Sequence, residues 1–185
     1  MKKYNITITI SSVIILLVIQ LFALSCNKED IPESRLEMRD TLIYKKGEMV
    51  PFTGREKARV EDKIIEYDVV DGVRHGEFIL YYESGNVEMK GQIEHNKNIG
   101  EWKYYYESGE LESKGFFIND RPDGKWLWYY LSGNIKEEGS YSGGIRIGLW
   151  KQFDEQGIII DQKEFSFDDS KSNDENYLNK FFNLK

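Results

Sequence analysis

The chain has 185 residues, a formal net charge of −7 and a single cysteine, Cys26. The acidic balance excludes nucleic acid as a main partner, because phosphate binding wants a basic stripe and no Lys/Arg cluster rises above a solvated strand face; the lone cysteine excludes an internal disulfide framework. Aromatic residues make up 14% of the chain, Gly is frequent and Pro is rare, a composition that points to β-structure with tight turns.

Met1-Lys2-Lys3 supplies a short positive start, and Ile6 to Leu24 is strongly apolar with no charged residue, running into Ala23-Leu24-Ser25-Cys26. This pattern resembles a bacterial lipoprotein signal peptide with its lipobox, Ser25 being the small residue before the modified cysteine. The resemblance implies removal of residues 1–25, a lipid such as palmitate on Cys26, and a chain held in the cell envelope outside the cytoplasm. An uncleaved transmembrane anchor is the alternative, since the apolar run is about long enough to cross a bilayer. Residues 26–40 are expected to be the lipidated cysteine and a charged tether. Within them Asn27-Lys28-Glu29-Asp30 resembles a motif that sends lipoproteins to the outer cell surface, which favours the outer membrane or the surface as the address.

Residues 41–75 hold a looser unit. Leu42-Ile43-Tyr44 and Met49-Val50-Pro51-Phe52 flank Lys46-Gly47, and Asp71-Gly72 closes the segment. The expectation is an N-terminal capping hairpin followed by a degenerate repeat that begins at Gly54. A cap is needed because stacked repeats leave an open strand edge at each end.

A period of 24 residues then dominates. Gly recurs at Gly76, Gly100, Gly124 and Gly148, a second column at Gly85, Gly109, Gly133 and Gly157, and a third at Gly91, Gly115 and Gly139. Phe78, Trp102, Trp126 and Trp150 form an aromatic column, and Tyr81, Tyr105, Tyr129 and Phe153 another. Four repeats are expected, over 76–99, 100–123, 124–147 and 148–165.

Each repeat is predicted to be a β-hairpin with its turn at Ser-Gly, where Gly109 and its equivalents supply a positive φ. With Ser108-Gly109 as the loop, Tyr106 faces Leu111, Tyr105 faces Glu112, Lys103 faces Lys114 and Trp102 faces Gly115. The same rule sets Phe78 against Gly91 and Trp126 against Gly139, so that each large ring covers the glycine opposite. A three-residue loop would slip Trp102 onto charged Lys114, which the apolar pattern rejects; loops of two or four residues survive. The fold class is therefore all-β, an elongated antiparallel sheet of stacked hairpins. About a dozen strands would give a sheet roughly 55 to 60 Å long. Residues 166–185 are a polar tail in which Tyr177, Leu178, Phe181, Phe182 and Leu184, at near-helical spacing, suggest a short helix; disorder is the rival reading.

Val50-Pro51-Phe52-Thr53-Gly54, Asp71-Gly72-Val73-Arg74-His75-Gly76-Glu77-Phe78 and the Tyr-Tyr-x-Ser-Gly-Asn/Glu turns resemble the MORN (membrane occupation and recognition nexus) repeat variant. The chain also resembles the YwqK-like antitoxin family, which carries such repeats. The resemblance, over roughly residues 42 to 165, implies hairpin stacks used for membrane proximity, protein binding and scaffolding. A lipoprotein signal departs from a cytoplasmic antitoxin.

No catalytic constellation is evident. His75 and His95 are the only histidines, with no HxxxH or HxH spacing and no second cysteine for zinc, so no metal or cofactor is expected; the MORN-variant pattern often has His where His75 stands. The carboxylates Glu83 and Glu107, or Glu88 and Glu112, fall in repeat columns, whereas paired catalytic acids need unequal environments. Ser84, Ser108 and Ser132 precede turn glycines with no recurring histidine to activate them. No phosphate-binding loop is present.

The expected function is that of a non-enzymatic envelope lipoprotein, a binding or scaffold module whose strip of Tyr81, Tyr105, Tyr129 and Phe153 on the wetter face takes a protein or a glycan. Two alternatives are an immunity-like protein that neutralises a toxin outside the cytoplasm, and a structural envelope protein that self-associates through its end strands.

Overall fold

The computed structural model describes residues 31–166. The expected signal peptide, Cys26 and the helix near the C-terminus lie outside the described residues. Among the described residues twelve strands follow one another: β1 Leu36–Arg39, β2 Leu42–Lys45, β3 Gly54–Val60, β4 Lys63–Val70, β5 Val73–Tyr81, β6 Val87–Glu94, β7 Lys97–Tyr105, β8 Leu111–Ile118, β9 Arg121–Tyr129, β10 Ile135–Ser142, β11 Ile145–Phe153 and β12 Ile159–Phe165. Strands β3 to β12 make one ten-stranded antiparallel sheet in which every strand lies beside its sequence neighbours, and β1 and β2 make a separate two-stranded sheet. Ten strands span about 43 Å across the strand direction, less than a dozen would.

One face of this sheet is the core. Phe78, Leu80, Ile93, Trp102, Phe117, Trp126, Tyr141 and Trp150 are buried on it, with Ile65, Tyr67, Met89, Tyr104, Trp128 and Phe165 packed against them. Period-two alternation puts them there, since residues two apart in a strand share a face. The rings bury one another by edge-on contact across successive strands. Trp102 meets Phe117 at a centroid distance of 5.9 Å, Phe117 meets Trp126 at 5.3 Å, Trp126 meets Tyr141 at 6.0 Å and Tyr141 meets Trp150 at 5.0 Å. Edge-to-face pairs of this kind contribute about 0.5–1.5 kcal/mol each beyond the area they bury.

The expected register holds where it matters: Phe78 pairs with Gly91, Trp102 with Gly115 and Trp126 with Gly139. The ring that needs each glycine, however, is not the one paired with it. A Cβ on Gly91 would lie 2.2 Å from Trp102, one on Gly115 would lie 2.1 Å from Trp126, and one on Gly139 would lie 2.1 Å from Trp150. Each glycine is thus covered from the strand on its other side. The cause is a bulge. The β6–β7 ladder shifts between Lys90 and Gln92, opposite Gly100, which has φ +66° and open space around its missing side chain. Gly100 is glycine for its backbone, Gly91 for its space, and the bulge sets Trp102 beside Gly91.

The Ser-Gly turn also differs from expectation. Tyr106 N donates to Glu110 O at 2.9 Å and Gly109 N to Tyr106 O at 2.8 Å, so the loop is the three residues Glu107-Ser108-Gly109, with Gly109 at φ +102°. Taken alone, this loop would give the rejected slip, and it does set Tyr105 rather than Tyr106 against Leu111. A second bulge, which skips Glu112 between the pairs Tyr104–Ser113 and Tyr105–Leu111, restores the Trp102–Gly115 register. At the other edge of the sheet the hairpins join through tight two-residue turns, such as His95-Asn96 and Asn119-Asp120, with both residues left-handed, the primed-turn geometry.

The N-terminal cap is built differently from the expected hairpin. Leu42–Lys45 pairs with Leu36–Arg39, inside the segment expected to be a tether, and turns at Asp40-Thr41, both with positive φ. Only Tyr44–Pro51 bridges across the Lys46-Gly47 turn. The cap joins the sheet through Ile43 N to Gly72 O, 2.9 Å, and Arg59 N to Pro32 O, 2.8 Å, with Glu33 bridging in parallel to Arg59 on the edge strand β3.

Candidate functional site

Tyr81, Tyr105, Tyr129 and Phe153 are the last residues of β5, β7, β9 and β11. Being on every second strand, they recur about 10 Å apart. Each is half-buried and pairs at a bulge with Val87, Leu111, Ile135 or Ile159. They lie on the face opposite the core, two residues beyond Ile79, Lys103, Leu127 and Lys151 in the same strands.

A row of lysines lies beside them. Lys90 is paired with Lys103, and Lys103 with Lys114, an arrangement of like charges that costs stability in a sheet. Glu101 Oε2 accepts from Lys103 Nζ at 2.8 Å, and Lys90 Nζ stands 5.7 Å from the centroid of Tyr105. The row does not extend further: Lys114 next faces Leu127, and Lys151 faces Glu138.

The backbone of the strip is held from the other face by a second tyrosine column. Tyr82, Tyr106 and Tyr130 donate their hydroxyls to the carbonyls of Tyr105, Tyr129 and Phe153, each at 2.7 Å. Asn86 and Asn134 donate to Glu107 O and Glu155 O at 2.8 Å; in the middle repeat Glu110 takes the asparagine position and accepts from Ser108 instead. Each hairpin is therefore bolted to the next at its turn. Sequence reasoning missed this column. Its signal was the Tyr-Tyr doublet at 81–82, 105–106 and 129–130, whose second member alternation alone would assign to the core. Burial, and after it the carboxylates nearby, raise the Tyr82 phenol above its ordinary range, and burial raises Glu112 against the pull of Lys136.

The first ring of the strip is fixed differently. Tyr81 donates to Glu66 Oε2 at 2.8 Å, and burial together with this bond pushes its phenol up to about 12. Arg55 on β3 binds Glu66 at 2.6 Å and Asp68 at 2.9 Å on β4, and Glu77 at 2.8 Å on β5, joining three strands. Burial raises the Glu66 carboxyl, but the bonds from Arg55 and Tyr81 outweigh it and leave it below its ordinary value.

The repeat glycines of the first two columns, Gly76, Gly100, Gly124 and Gly148 with Gly85, Gly109, Gly133 and Gly157, all have positive φ and are structural. The serines Ser84, Ser108 and Ser132 remain in exposed turns. His75 and His95, far apart by local spacing, are adjacent in the fold, with ring centroids 5.5 Å apart.

Residues 74–95, 99–119 and 122–142 match the family model of the MORN repeat variant. Each matched segment is one hairpin, β5–β6, β7–β8 or β9–β10. In this chain the three matched hairpins carry the first three rings of the strip. A search of curated proteins finds no match. Among solved structures, the chain is similar to the crystal structure of accessory secretory protein 1,2 and 3 in Streptococcus pneumoniae, at 14% identity over 71% of this chain and 24% of that one, with a TM-score of 0.33. It is also similar to a glycosylation associate protein complex from Streptococcus agalactiae, at 14% identity over 84% of this chain and 29% of that one, with a TM-score of 0.36. The chain spans about a quarter of the length of these relatives, and likeness at this level identifies no shared function.

Proposed function

We propose that this chain is a non-catalytic binding module, held outside the cytoplasm by a lipid on Cys26, and that it takes a protein partner on the face of Tyr81, Tyr105, Tyr129 and Phe153. The observation that supports this reading is a ring series at regular pitch, fixed from behind by the Tyr82, Tyr106 and Tyr130 bonds, beside a lysine row that the sheet tolerates at a cost. Rigid half-buried tyrosines lose little entropy when a partner covers them, which is why they serve as interface anchors. The like-charge row Lys90, Lys103 and Lys114 gains from a partner that brings carboxylates. The partner is therefore a protein with an acidic patch rather than a neutral glycan.

The full-length chain in detergent, used as bait on envelope and secreted fractions, should capture one protein that the Tyr105→Ala, Tyr129→Ala double variant does not. Capture should weaken as salt rises, because the lysine row is exposed to screening. Equal capture by both forms, with both folded by circular dichroism, would remove the strip as the site. The anchor is tested separately: labelled palmitate should enter the wild-type chain and not Cys26→Ser.

A further inference from the structure

His75, Glu94 and His95 come together at the turn edge opposite the Ser-Gly loops. His75 lies in β5 and Glu94 ends β6, one step beyond the Gly76–Ile93 pair. His95 opens the tight turn to β7, with φ +50°. The turn is pinned to β5, since Asn96 N donates to Arg74 O at 3.0 Å and Arg74 N to Asn96 Oδ1 at 2.9 Å. One ligand atom from each of the three side chains lies within 4.8 Å of the others, and all three are exposed.

The trio breaks the repeat. Where the first repeat has His75, the others have Ile99, Asp123 and Ile147; in place of Glu94 they have Ile118 and Ser142, and in place of His95 they have Asn119 and Gly143. None of these other sets could hold a cation. Hairpin geometry does not require the three, because the sheet folds without them in every later copy. Among the described residues no ion pair occupies the Glu94 carboxylate.

We propose that His75, Glu94 and His95 form a surface site for one divalent transition-metal ion of the borderline class, such as zinc or copper. Two imidazoles and one carboxylate suit these ions and not the all-oxygen preference of calcium or magnesium. Tetrahedral bonds of about 2.0–2.1 Å put ligand atoms about 3.3 Å apart, so the exposed side chains close by no more than roughly an ångström and a half to seat the ion. Three protein ligands leave one position open to water or to a partner's side chain. The ion would clip β5 to the β6–β7 turn, and it goes beyond the strip reading because it uses none of those residues.

The test is zinc chloride titrated into the metal-stripped full-length chain in detergent, followed by calorimetry and by thermal unfolding. Two variants keep the fold because each carries the residue of a later repeat: His75→Ile, as at Ile99, and His95→Asn, as at Asn119. The wild-type chain should bind one equivalent, each variant should bind at least tenfold more weakly, calcium should not compete, and zinc should raise the Tm of the wild type alone. No uptake of zinc, or uptake unchanged in both variants, would overturn the site.

Discussion

Trp102 is paired in the ladder with Gly115, yet its indole fills the space above Gly91, where a Cβ would lie 2.2 Å from it. The relation recurs with Trp126 over Gly115 and Trp150 over Gly139. Each repeat therefore reaches back to cover a glycine of the repeat before it, and the hairpins lock into a series rather than merely lying side by side.

Gly115→Ala should accordingly be far more costly than Gly100→Ala. The first puts a methyl into the Trp126 ring and should destabilise by about 3 kcal/mol or more. The second meets open space and bears only the left-handed backbone penalty, about 1–2 kcal/mol. Urea unfolding of the two variants side by side measures the difference, and equal midpoints would contradict the ring placement.

The three indoles that cover glycines are not equivalent. Trp126 Nε1 donates to Phe116 O at 3.3 Å and Trp150 Nε1 to Ser140 O at 3.2 Å, whereas Trp102 Nε1 is buried without a partner. Trp102→Phe removes an unpaired buried donor along with some ring area, while Trp126→Phe strands a carbonyl as well. Trp126→Phe should be the worse by about 1 kcal/mol, as read by thermal unfolding.

Tyr106→Phe deletes one bolt, the hydroxyl bond to Tyr129 O, and leaves the ring. A loss of about 1 kcal/mol is expected. Hydrogen exchange should show faster opening at the turns of β7–β8 and β9–β10, with the amides paired around Phe117 little changed.

Acid should loosen the N-terminal end through Glu66. Its folded pKa is depressed, so the stability it contributes is complete above the unfolded carboxylate pKa. That contribution is lost as pH falls through the lower, folded value. Arg55→Ala should remove most of this acid-side slope while leaving neutral-pH spectra intact. A slope identical to wild type would mean that the Arg55 network does not couple folding to protons.

The sequence disclosed the period, the all-β class and the pairing of Trp102 with Gly115, because a 24-residue repeat fixes the strand faces and a one-residue slip would expose every ring. It did not disclose the bulges at Gly100 and Glu112, since a bulge changes neither the period nor the apolar pattern; that is why the ring over each glycine and the residue facing Leu111 came out differently. The Tyr82, Tyr106 and Tyr130 column was visible as a doublet, but its acceptors are backbone carbonyls of the next repeat, which carry no letter in a sequence. Residues 36–39 looked like tether because a four-residue strand lacks a long enough alternation to stand out. His75 and His95 meet only because the β5–β6 hairpin folds back on itself, and local spacing rules are blind to that.

The most direct test of the binding face is photo-crosslinking in cells that make the chain, with a benzoylphenylalanine probe replacing Tyr105, Tyr129 or Tyr106 in turn. Tyr105 and Tyr129 lie on the proposed face, and Tyr106 points to the other side of the sheet. The account predicts one common protein adduct from positions 105 and 129 and none from 106. An adduct from 106 alone, or the same adduct from all three, would contradict it.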